Sequence, residues 1–262
     1  MMGSDFFSEG LFQLVPESFD DLSADFERAE ALLAHGEIVA DVESPLWGSN
    51  YATLIAVQGA EGRVLAVYKP QRGERPLWDF PDGTLCYREL LAYYVSKALG
   101  WGLVPPTVLR EGPLGLGSVQ LFIAHNPEVT YFSLDRRFAA QLQRFAVFDF
   151  VVNNADRKGG HLLLDARGKL WGIDHGLTFH AAPKLRTVIW EFAGQLVAGH
   201  LLRDIEVLCG QLDGSGTQLV DLLRRCLMPR EVLALERRLE WLLEGGRFPV
   251  SGRGLAVPWP PV

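Results

Sequence analysis

Cysteine and methionine are scarce in this sequence, with three of each among 262 residues. Cys86, Cys209 and Cys226 are an odd number and show no Cys-x-x-Cys spacing, which argues against a disulfide framework and against a zinc site. So few cysteines without a pairing pattern are typical of a reducing compartment. We therefore expect a cytoplasmic protein.

Positive charge and long apolar runs are also lacking. The formal net charge is −7 and the pI is near 5.4, so we expect no nucleic-acid partner, because phosphate binding needs a basic surface. No stretch approaches the roughly 18 uninterrupted apolar residues of a membrane span. Residues 1–13 are acidic rather than basic, and we expect neither a signal peptide nor stable membrane insertion.

Two common nucleotide-binding motifs are absent. There is no Gly-x-x-x-x-Gly-Lys-[Ser/Thr] segment, which argues against a P-loop enzyme. Residues 112–117 have glycines in the order G-x-x-G-x-G with no helix after them, which is the wrong order for a dinucleotide loop. That segment predicts a hairpin turn instead.

Apolar residues are plentiful: they make up 48% of the chain, with 15 Phe and 7 Trp, enough for a packed core. The first half contains mostly strand-like runs, together with one segment of helical periodicity over residues 87–99. From residue 138 onward helical periodicity is the commoner pattern, and residues 187–243 are mostly helical in period. The pattern predicts a β-rich N-lobe, residues 1–125, and a helical C-lobe, residues 126–262, with a cleft between them.

The C-terminal half contains two short strand-like runs and a proline-rich end. The runs cover residues 161–164 and 170–173, with a polar turn between them, and predict a small hairpin. Residues 256–262 are rich in proline, and we expect them to form a loosely held tail.

Two charged residues of the N-terminal half stand at the ends of predicted elements. Lys69 closes an apolar strand, where its ammonium can meet a phosphate, although a solvated strand-end lysine is the common alternative. Glu89 lies in the first turn of the predicted helix over residues 87–99. It can pair with Lys69 there, or it can be an ordinary acidic residue at a helix start.

Further candidates lie on two loops of the C-terminal half. Asp156 follows an apolar helix on a polar loop, where it can accept the proton of a substrate hydroxyl, and His161 can come round to coordinate metal. Asp174 ends the second short strand and precedes a glycine by two residues, a pattern suited to Mg²⁺ that bridges phosphate oxygens. With His175 and His180 these residues can instead form a hydrolytic metal centre, although the spacing matches no standard zinc signature.

The order of these features resembles the phosphatidylinositol 3- and 4-kinase superfamily, and is most similar to type II phosphatidylinositol 4-kinases and uncharacterised bacterial relatives. Lys69-Pro70 is similar to the Lys-Pro at the strand end of the type II enzymes. Residues 154–157 (Asn-Ala-Asp-Arg) resemble the start of their catalytic loop, Asn-Thr-Asp-Arg-Gly-Asn-Asp-Asn, and Asp149 precedes it on a similar apolar helix. The resemblance extends over residues 37–180. Bacterial toxin-type Ser/Thr kinases use a comparable loop, so the match indicates a superfamily rather than a substrate.

The resemblance implies an α+β, two-lobed protein-kinase-like fold and an ATP- and divalent-metal-dependent phosphotransferase that acts on an unidentified hydroxyl acceptor. Lys69 would contact the α- and β-phosphates, and Glu89 would orient it. Asp156 would be the catalytic base. Asp174 would be the main metal ligand, with His161 at the position of the second ligand and Mg or Mn as the metal.

The other contacts implied with ATP come from the backbone. The loop over residues 44–50 would cover the phosphates. It has a single glycine, so the amides of Ser49 and Asn50 would make those contacts. Adenine would be read by a hinge made of Leu121, Phe122 and Ile123.

Two positions depart from the family pattern. His161 stands where the family has Asn, and His175 stands where an aromatic or apolar residue is usual. Imidazole favours softer metals such as Mn²⁺ over Mg²⁺. Either the metal is altered, or His161 does not ligate and activity is weak or absent.

Three functions therefore stay open: a phosphotransferase, a pseudokinase that binds nucleotide or metal without turnover, and a metal-dependent hydrolase. The acceptor of a phosphotransferase can be a small molecule, a lipid head group or a protein. A lipid is the least supported of these, because no basic or apolar membrane-docking stretch is present.

Overall fold

The computed structural model describes residues 22–45, 52–60, 62–214, 216–251 and 256–262, with only the backbone described for residues 22–25 and 40–45. The chain forms two compact units. One consists of Met1–Pro76 and Pro106–Ala124, and the other of Leu77–Pro105 and His125–Val262. Residues 77–105, which the sequence placed in the N-lobe, group with the helical unit.

The first unit is a helix with a five-stranded antiparallel sheet of order β1-β2-β3-β5-β4. Its elements are α1 (Leu22–His35), β1 (Glu37–Pro45), β2 (Thr53–Gly59), β3 (Gly62–Pro70), β4 (Thr107–Gly112) and β5 (Gly115–Leu121). Val57, Tyr68 and Val119 from three successive strands of the sheet form a core with Leu33 of α1. Burial of this apolar face holds the sheet in register.

The hairpin between β4 and β5 is built around Tyr68. The Tyr68 hydroxyl donates to the carbonyl of Gly115 at 2.6 Å. A Cβ on Gly117 would lie 2.6 Å from the Tyr68 ring and 2.5 Å from the carbonyl oxygen of Lys69, so only glycine fits. The prediction of a hairpin at residues 112–117 is confirmed.

The second unit is mainly helical. Its elements are α2 (Leu85–Ala98), α3 (Ala139–Val151), β6 (Leu162–Leu164), β7 (Leu170–Gly172), α4 (Gly199–Asp213), α5 (Gln218–Cys226) and α6 (Pro229–Gly245). Helix α3 is deeply packed, with Phe145, Phe148 and Val151 fully buried. The loop that carries Asp156 follows this helix.

Two predictions about helices in this unit were wrong. Helix α2 begins at Leu85, so Glu89 lies in its second turn rather than its first. Residues 187–198, predicted as mostly helical, form no helix. Their apolar side chains imitate a helical period, but their backbone bonds run to other loops, as from Val188 N to the carbonyl of Arg157 at 3.1 Å.

Among the described residues, no helix combines the length and the apolar character that a membrane crossing needs.

Candidate functional site

Three of the predicted residues converge in the second unit. Asp156, His161 and Asp174 each offer a ligand atom, and these atoms lie within 4.8 Å of one another. His161 Nε2 is 3.4 Å from Asp174 Oδ2, and 48% of the Asp174 side chain is exposed against 15% for His161. The group is therefore compact and open to solvent on the Asp174 side.

Two asparagines shape the loop that carries Asp156 (residues 153–161, the Asp156 loop). Asn154 is buried; its Oδ1 accepts from the amide of Asp156 at 3.0 Å, and its Nδ2 donates to Asp149 at 3.0 Å. Asn153 adopts a left-handed backbone with φ 52°, and its Nδ2 donates to two carbonyl oxygens within residues 180–182, each at 2.8 Å. The loop is thus fixed from helix α3 on one side and from the later segment on the other.

A fully buried ion pair underlies the loop. Arg157 and Asp149 are 2.9 Å apart, and neither side chain is exposed. An arginine has five N–H donors, and all of them find acceptors here. Nε and one Nη2 hydrogen serve Asp149, the Nη1 hydrogens serve the carbonyls of His161 at 3.3 Å and Ile173 at 3.0 Å, and Nη2 also reaches His175 Nε2 at 2.6 Å. One side chain therefore fixes the backbone just before β6, at His161, and just after β7, at Ile173 beside Asp174.

The turn after β7 holds Asp174 in a left-handed conformation, with φ 59°. The expectation that Asp174 ends a strand was wrong, because β7 ends at Gly172. The left-handed region costs an ordinary residue about 1–2 kcal/mol, so neighbouring contacts must hold it. The amide of His175 donates to Glu89 Oε2 at 2.9 Å, and Arg157 donates to the ring of His175.

Charge and burial set the protonation of Asp156. Burial raises the pKa of Asp156 from 3.8 to about 6; the Lys158 ammonium opposes this rise, and the Asp174 carboxylate adds to it. The Lys158 ammonium lies 3.6 Å from Asp156 Oδ2. A carboxylate with this pKa is ionised at neutral pH and is a stronger base than an exposed one, which suits proton abstraction.

The hydrogen bonds of His161 indicate which ring nitrogen carries the proton. The amide of Lys158 donates to His161 Nδ1 at 3.4 Å. A neutral ring whose Nδ1 accepts carries its proton on Nε2, which faces Asp174. In this tautomer His161 is a hydrogen-bond donor, and Nε2 must lose its proton before it can bind a metal.

The donor set fits a divalent cation. Carboxylate oxygens suit hard ions such as Mg²⁺, and a neighbouring imidazole widens the choice to Mn²⁺ and later metals. Asp156, His161 and Asp174 are the residues that could hold such an ion, and two carboxylates at this separation leave excess negative charge for it to neutralise.

The nucleotide residues predicted for the first unit are less completely described. Lys69 is near the end of β3, opposite Ser118 of β5. Its predicted pairing with Glu89 joins residues of the two units and stays a prediction. Ser49 and Asn50 lie outside the described residues.

The predicted hinge begins at Leu121, the last residue of β5. The amide of Leu121 donates to Pro106 O and that of Phe122 to Leu65 O, each at 2.9 Å.

Residues 256–262 were predicted to be loosely held, and this was wrong. The amide of Gly159, within the Asp156 loop, donates to the carbonyl of Pro261 at 2.7 Å. Ala256 O accepts from the amide of Thr187 and from Trp190 Nε1, both at 3.0 Å. Prolines lack an N–H but keep their carbonyls, and these contacts use carbonyl acceptors of the segment.

Sequence reasoning missed the framework around the site more than the site itself. The roles of Asn153, Asn154 and Arg157 went unassigned, although all three lie in the loop that was singled out. A signal was present in Asp149, a charged residue within a run of apolar helix residues, since such a charge requires a buried partner.

Comparisons with known proteins identify similar proteins, and one match covers the stretch that carries these residues. Residues 111–193 match the family model described as phosphatidylinositol 3- and 4-kinase. The matched stretch contains Asp149, Asp156, His161 and Asp174.

One relative covers nearly the whole chain. Protein Rv2133c of Mycobacterium tuberculosis is 38% identical over 266 residues, which is 88% of this chain and 94% of the mycobacterial protein.

Two solved structures are similar in fold. The Helicobacter pylori proinflammatory kinase CtkA has a TM-score of 0.50 at 13% identity, over 82% of this chain and 94% of that one. Hydra Fam20 with sugar has a TM-score of 0.49 at 14% identity, over 86% of this chain and 89% of that one. The CtkA likeness bears on the fold, which is the α+β, two-lobed protein-kinase-like fold predicted from the sequence. The chain belongs to the same family as the mycobacterial protein Rv2133c, within the phosphatidylinositol 3- and 4-kinase-like superfamily.

Proposed function

We propose that this protein is an ATP- and divalent-metal-dependent phosphotransferase that moves the γ-phosphoryl group of ATP to a hydroxyl group. The observation that carries the proposal is the convergence of Asp156, His161 and Asp174 within 4.8 Å. The family match supports a phosphotransferase-type activity, and the raised pKa of Asp156 supports its role as a base.

Asp156 accepts the proton of the acceptor hydroxyl as its oxygen attacks the γ-phosphorus. A new P–O bond forms to the acceptor, and the bond from the γ-phosphorus to the bridging oxygen breaks, so that ADP leaves with the electron pair. Lys158, 3.6 Å from the Asp156 carboxylate, keeps that carboxylate ionised and adds positive charge where the phosphoryl group transfers.

Asp174 is the main ligand of the divalent ion in this proposal. When bound, the ion neutralises charge on the phosphate oxygens. The left-handed turn at Asp174, fixed by Glu89 and Arg157 through His175, keeps its carboxylate directed at the site.

His161 has two candidate roles, as second metal ligand or as hydrogen-bond donor to a phosphate oxygen. Its distance of 3.4 Å from Asp174 supports a shared ion. The bond from the amide of Lys158 to Nδ1 supports the donor role, because it leaves the proton on Nε2. The response of metal preference to His161→Asn separates them.

The first unit supplies the remaining contacts with ATP. Lys69 contacts the α- and β-phosphates and is oriented by Glu89. The amides of Ser49 and Asn50 cover the phosphates. The hinge made of Leu121, Phe122 and Ile123 reads adenine.

The acceptor is a hydroxyl on a small molecule, a lipid head group or a protein. The protein acts in the cytoplasm in this proposal. No particular acceptor is favoured by the residues of the site, so the first test must not depend on one.

The test combines thermal unfolding with ATP turnover. ATP with Mn²⁺ or Mg²⁺ should raise the unfolding midpoint more than ATP or the metal does by itself, since a ligand at 100 times its Kd adds about 2.7 kcal/mol. ATP labelled at the γ-phosphate should release or transfer its label. Asp174→Asn should abolish both effects, whereas Glu128→Gln, which removes an exposed charge elsewhere, should change neither.

Two results would contradict the proposal in different ways. Stabilisation by ATP and metal without any turnover would identify a pseudokinase. If ATP does not raise the unfolding midpoint at any metal concentration, the protein does not bind ATP.

A further inference from the structure

A second buried ion pair lies away from the Asp156 group. Arg88 of α2 and Glu231 of α6 are 2.7 Å apart, with only 1% and 5% of their side chains exposed. The Arg88 guanidinium lies over the Phe80 ring at 4.9 Å from its centroid. Glu231 Oε2 also accepts from the amide of Met228 at the start of α6. The pair therefore ties α2 to the last helix of the unit.

Stability alone does not account for this pair. Taking two charges out of water costs several kcal/mol per ion, and well-packed apolar residues of similar volume are often as stable or more so. A buried pair of this kind does supply direction, because a guanidinium donates along fixed lines. The useful question is which group Arg88 aims at.

Arg88 aims at the segment that follows Asp174. Its Nη1 donates to the carbonyl of Thr178 at 2.6 Å. Next to it, Glu89 accepts from the amide of His175 at 2.9 Å. The hydroxyl of Thr178 closes the segment by donating to His175 O at 2.7 Å. Two consecutive residues of α2 thus hold both ends of residues 175–178.

This segment is the one that keeps Asp174 in place. Asp174 has a left-handed backbone, which persists only where surrounding contacts determine it. Release of Thr178 would remove one of the two hydrogen bonds described above between the segment and α2. The carboxylate of Asp174 would then relax away from Asp156 and His161.

We infer that Arg88, held by Glu231, is a positioning residue for the metal-binding turn, and that α2 is a fixed support of that turn rather than a movable element. The inference rests on the proposed function, since it concerns the same metal site. Moving α2 outward would separate a buried ion pair and leave both charges without their partner, which is strongly unfavourable.

The test measures Mn²⁺ binding to the purified chain by electron paramagnetic resonance, without nucleotide, together with the unfolding midpoint. The principal variant combines Arg88→Met with Glu231→Leu, which replaces the pair by apolar side chains. We expect a fold near wild-type stability and Mn²⁺ affinity weakened about tenfold, as for other residues that orient metal ligands. In turnover assays kcat should fall while the KM for ATP stays unchanged.

Two further variants keep the test decisive. Arg88→Lys retains the pairing with Glu231 but loses the forked geometry that also reaches Thr178, so it should fold and still bind Mn²⁺ more weakly. If the double variant does not fold, Mn²⁺ binding by Arg88→Lys shows whether Arg88 positions the metal-binding turn. Trp101→Phe is the matched control: it removes the partly buried hydrogen bond from Trp101 Nε1 to Asp204 at 2.7 Å and should lower the unfolding midpoint without changing Mn²⁺ binding.

If the double variant and Arg88→Lys both bind Mn²⁺ with wild-type affinity, the inference is wrong, but the proposed function is unaffected. Absence of Mn²⁺ binding by the wild-type chain without nucleotide would also overturn the inference, whereas the proposed function is overturned by the absence of any stabilisation by ATP with metal.

Discussion

Two acidic regions of the same short stretch of chain are built in opposite ways. Asp149 is fully buried and neutralised by Arg157, whose donors are all used. Asp156, seven residues later, shares its surroundings with a second carboxylate and remains accessible. The first region fixes positions, and the second keeps two carboxylates, Asp156 and Asp174, beside a single ammonium, that of Lys158. A site for a cation and a phosphate needs both, because excess charge works only where the backbone beneath it cannot move.

The largest expected effect is the loss of activity when the accessible carboxylate, Asp156, is changed. Asp156→Asn should lower ATP turnover by about 10²–10⁴-fold, the usual contribution of a general base, and should leave the fold intact. Circular dichroism and γ-labelled ATP measure the two outcomes. Turnover that survives in Asp156→Asn at the wild-type rate would show that Asp156 is not the base.

The second effect is the loss of stability when the buried pair of Asp149 and Arg157 is broken. Arg157→Met should lower the free energy of unfolding by about 3–5 kcal/mol, because it leaves the Asp149 carboxylate buried without its partner. Urea unfolding measures this loss. The control is Arg137→Met, since Arg137 pairs with Asp135 at the surface, where such pairs contribute about 0–1 kcal/mol. Equal losses in the two variants would break the comparison.

The third test concerns the support that residues 256–262 give to the Asp156 loop. A chain that stops after Ser251 loses the bond from Gly159 to Pro261. We expect faster hydrogen exchange at the Gly159 amide and turnover lowered about tenfold, since small misplacements near reacting groups are costly. Trp259→Ala keeps the backbone contact and changes a side chain that is 88% exposed. It should behave as wild type, and a matching loss there would assign the effect to the side chain instead.

The fourth test sharpens the role of His161. As a metal ligand it should make the site prefer Mn²⁺ over Mg²⁺, and His161→Asn should move that preference toward Mg²⁺ by about tenfold. Calorimetric titration of ATP with each metal, on both proteins, reports the ratio. The same ratio in both proteins would leave His161 as a hydrogen-bond donor.

The smallest expected effect is in the pH dependence of the metal-free chain. Because the pKa of Asp156 is raised from 3.8 to about 6, the folded state holds its proton where the unfolded state has lost it. The free energy of unfolding should therefore fall as pH rises from about 4 to about 6, by roughly 1–3 kcal/mol. Asp156→Asn should remove this slope. A slope that persists in the variant would point to another carboxyl group.

Local patterns in the sequence were enough for the outline of the protein and for its reacting groups. The hairpin over residues 112–117 followed from glycine spacing, and the hairpin of β6 and β7 from two short apolar runs. Asp156 and Asp174 were identified because each follows an apolar element, and loops after such elements lie at the surface.

Tertiary structure decided how these groups are held. The pair of Arg88 and Glu231 joins residues 143 positions apart, and the bond from Gly159 to Pro261 joins the site to a segment that resembles a loose tail. Charge and hydrogen-bonding capacity can be read at each residue, but the partner cannot, since any of many distant groups satisfies the same donor. Only the packed chain selects one, because leaving a buried donor or charge unsatisfied costs more than a single bond contributes.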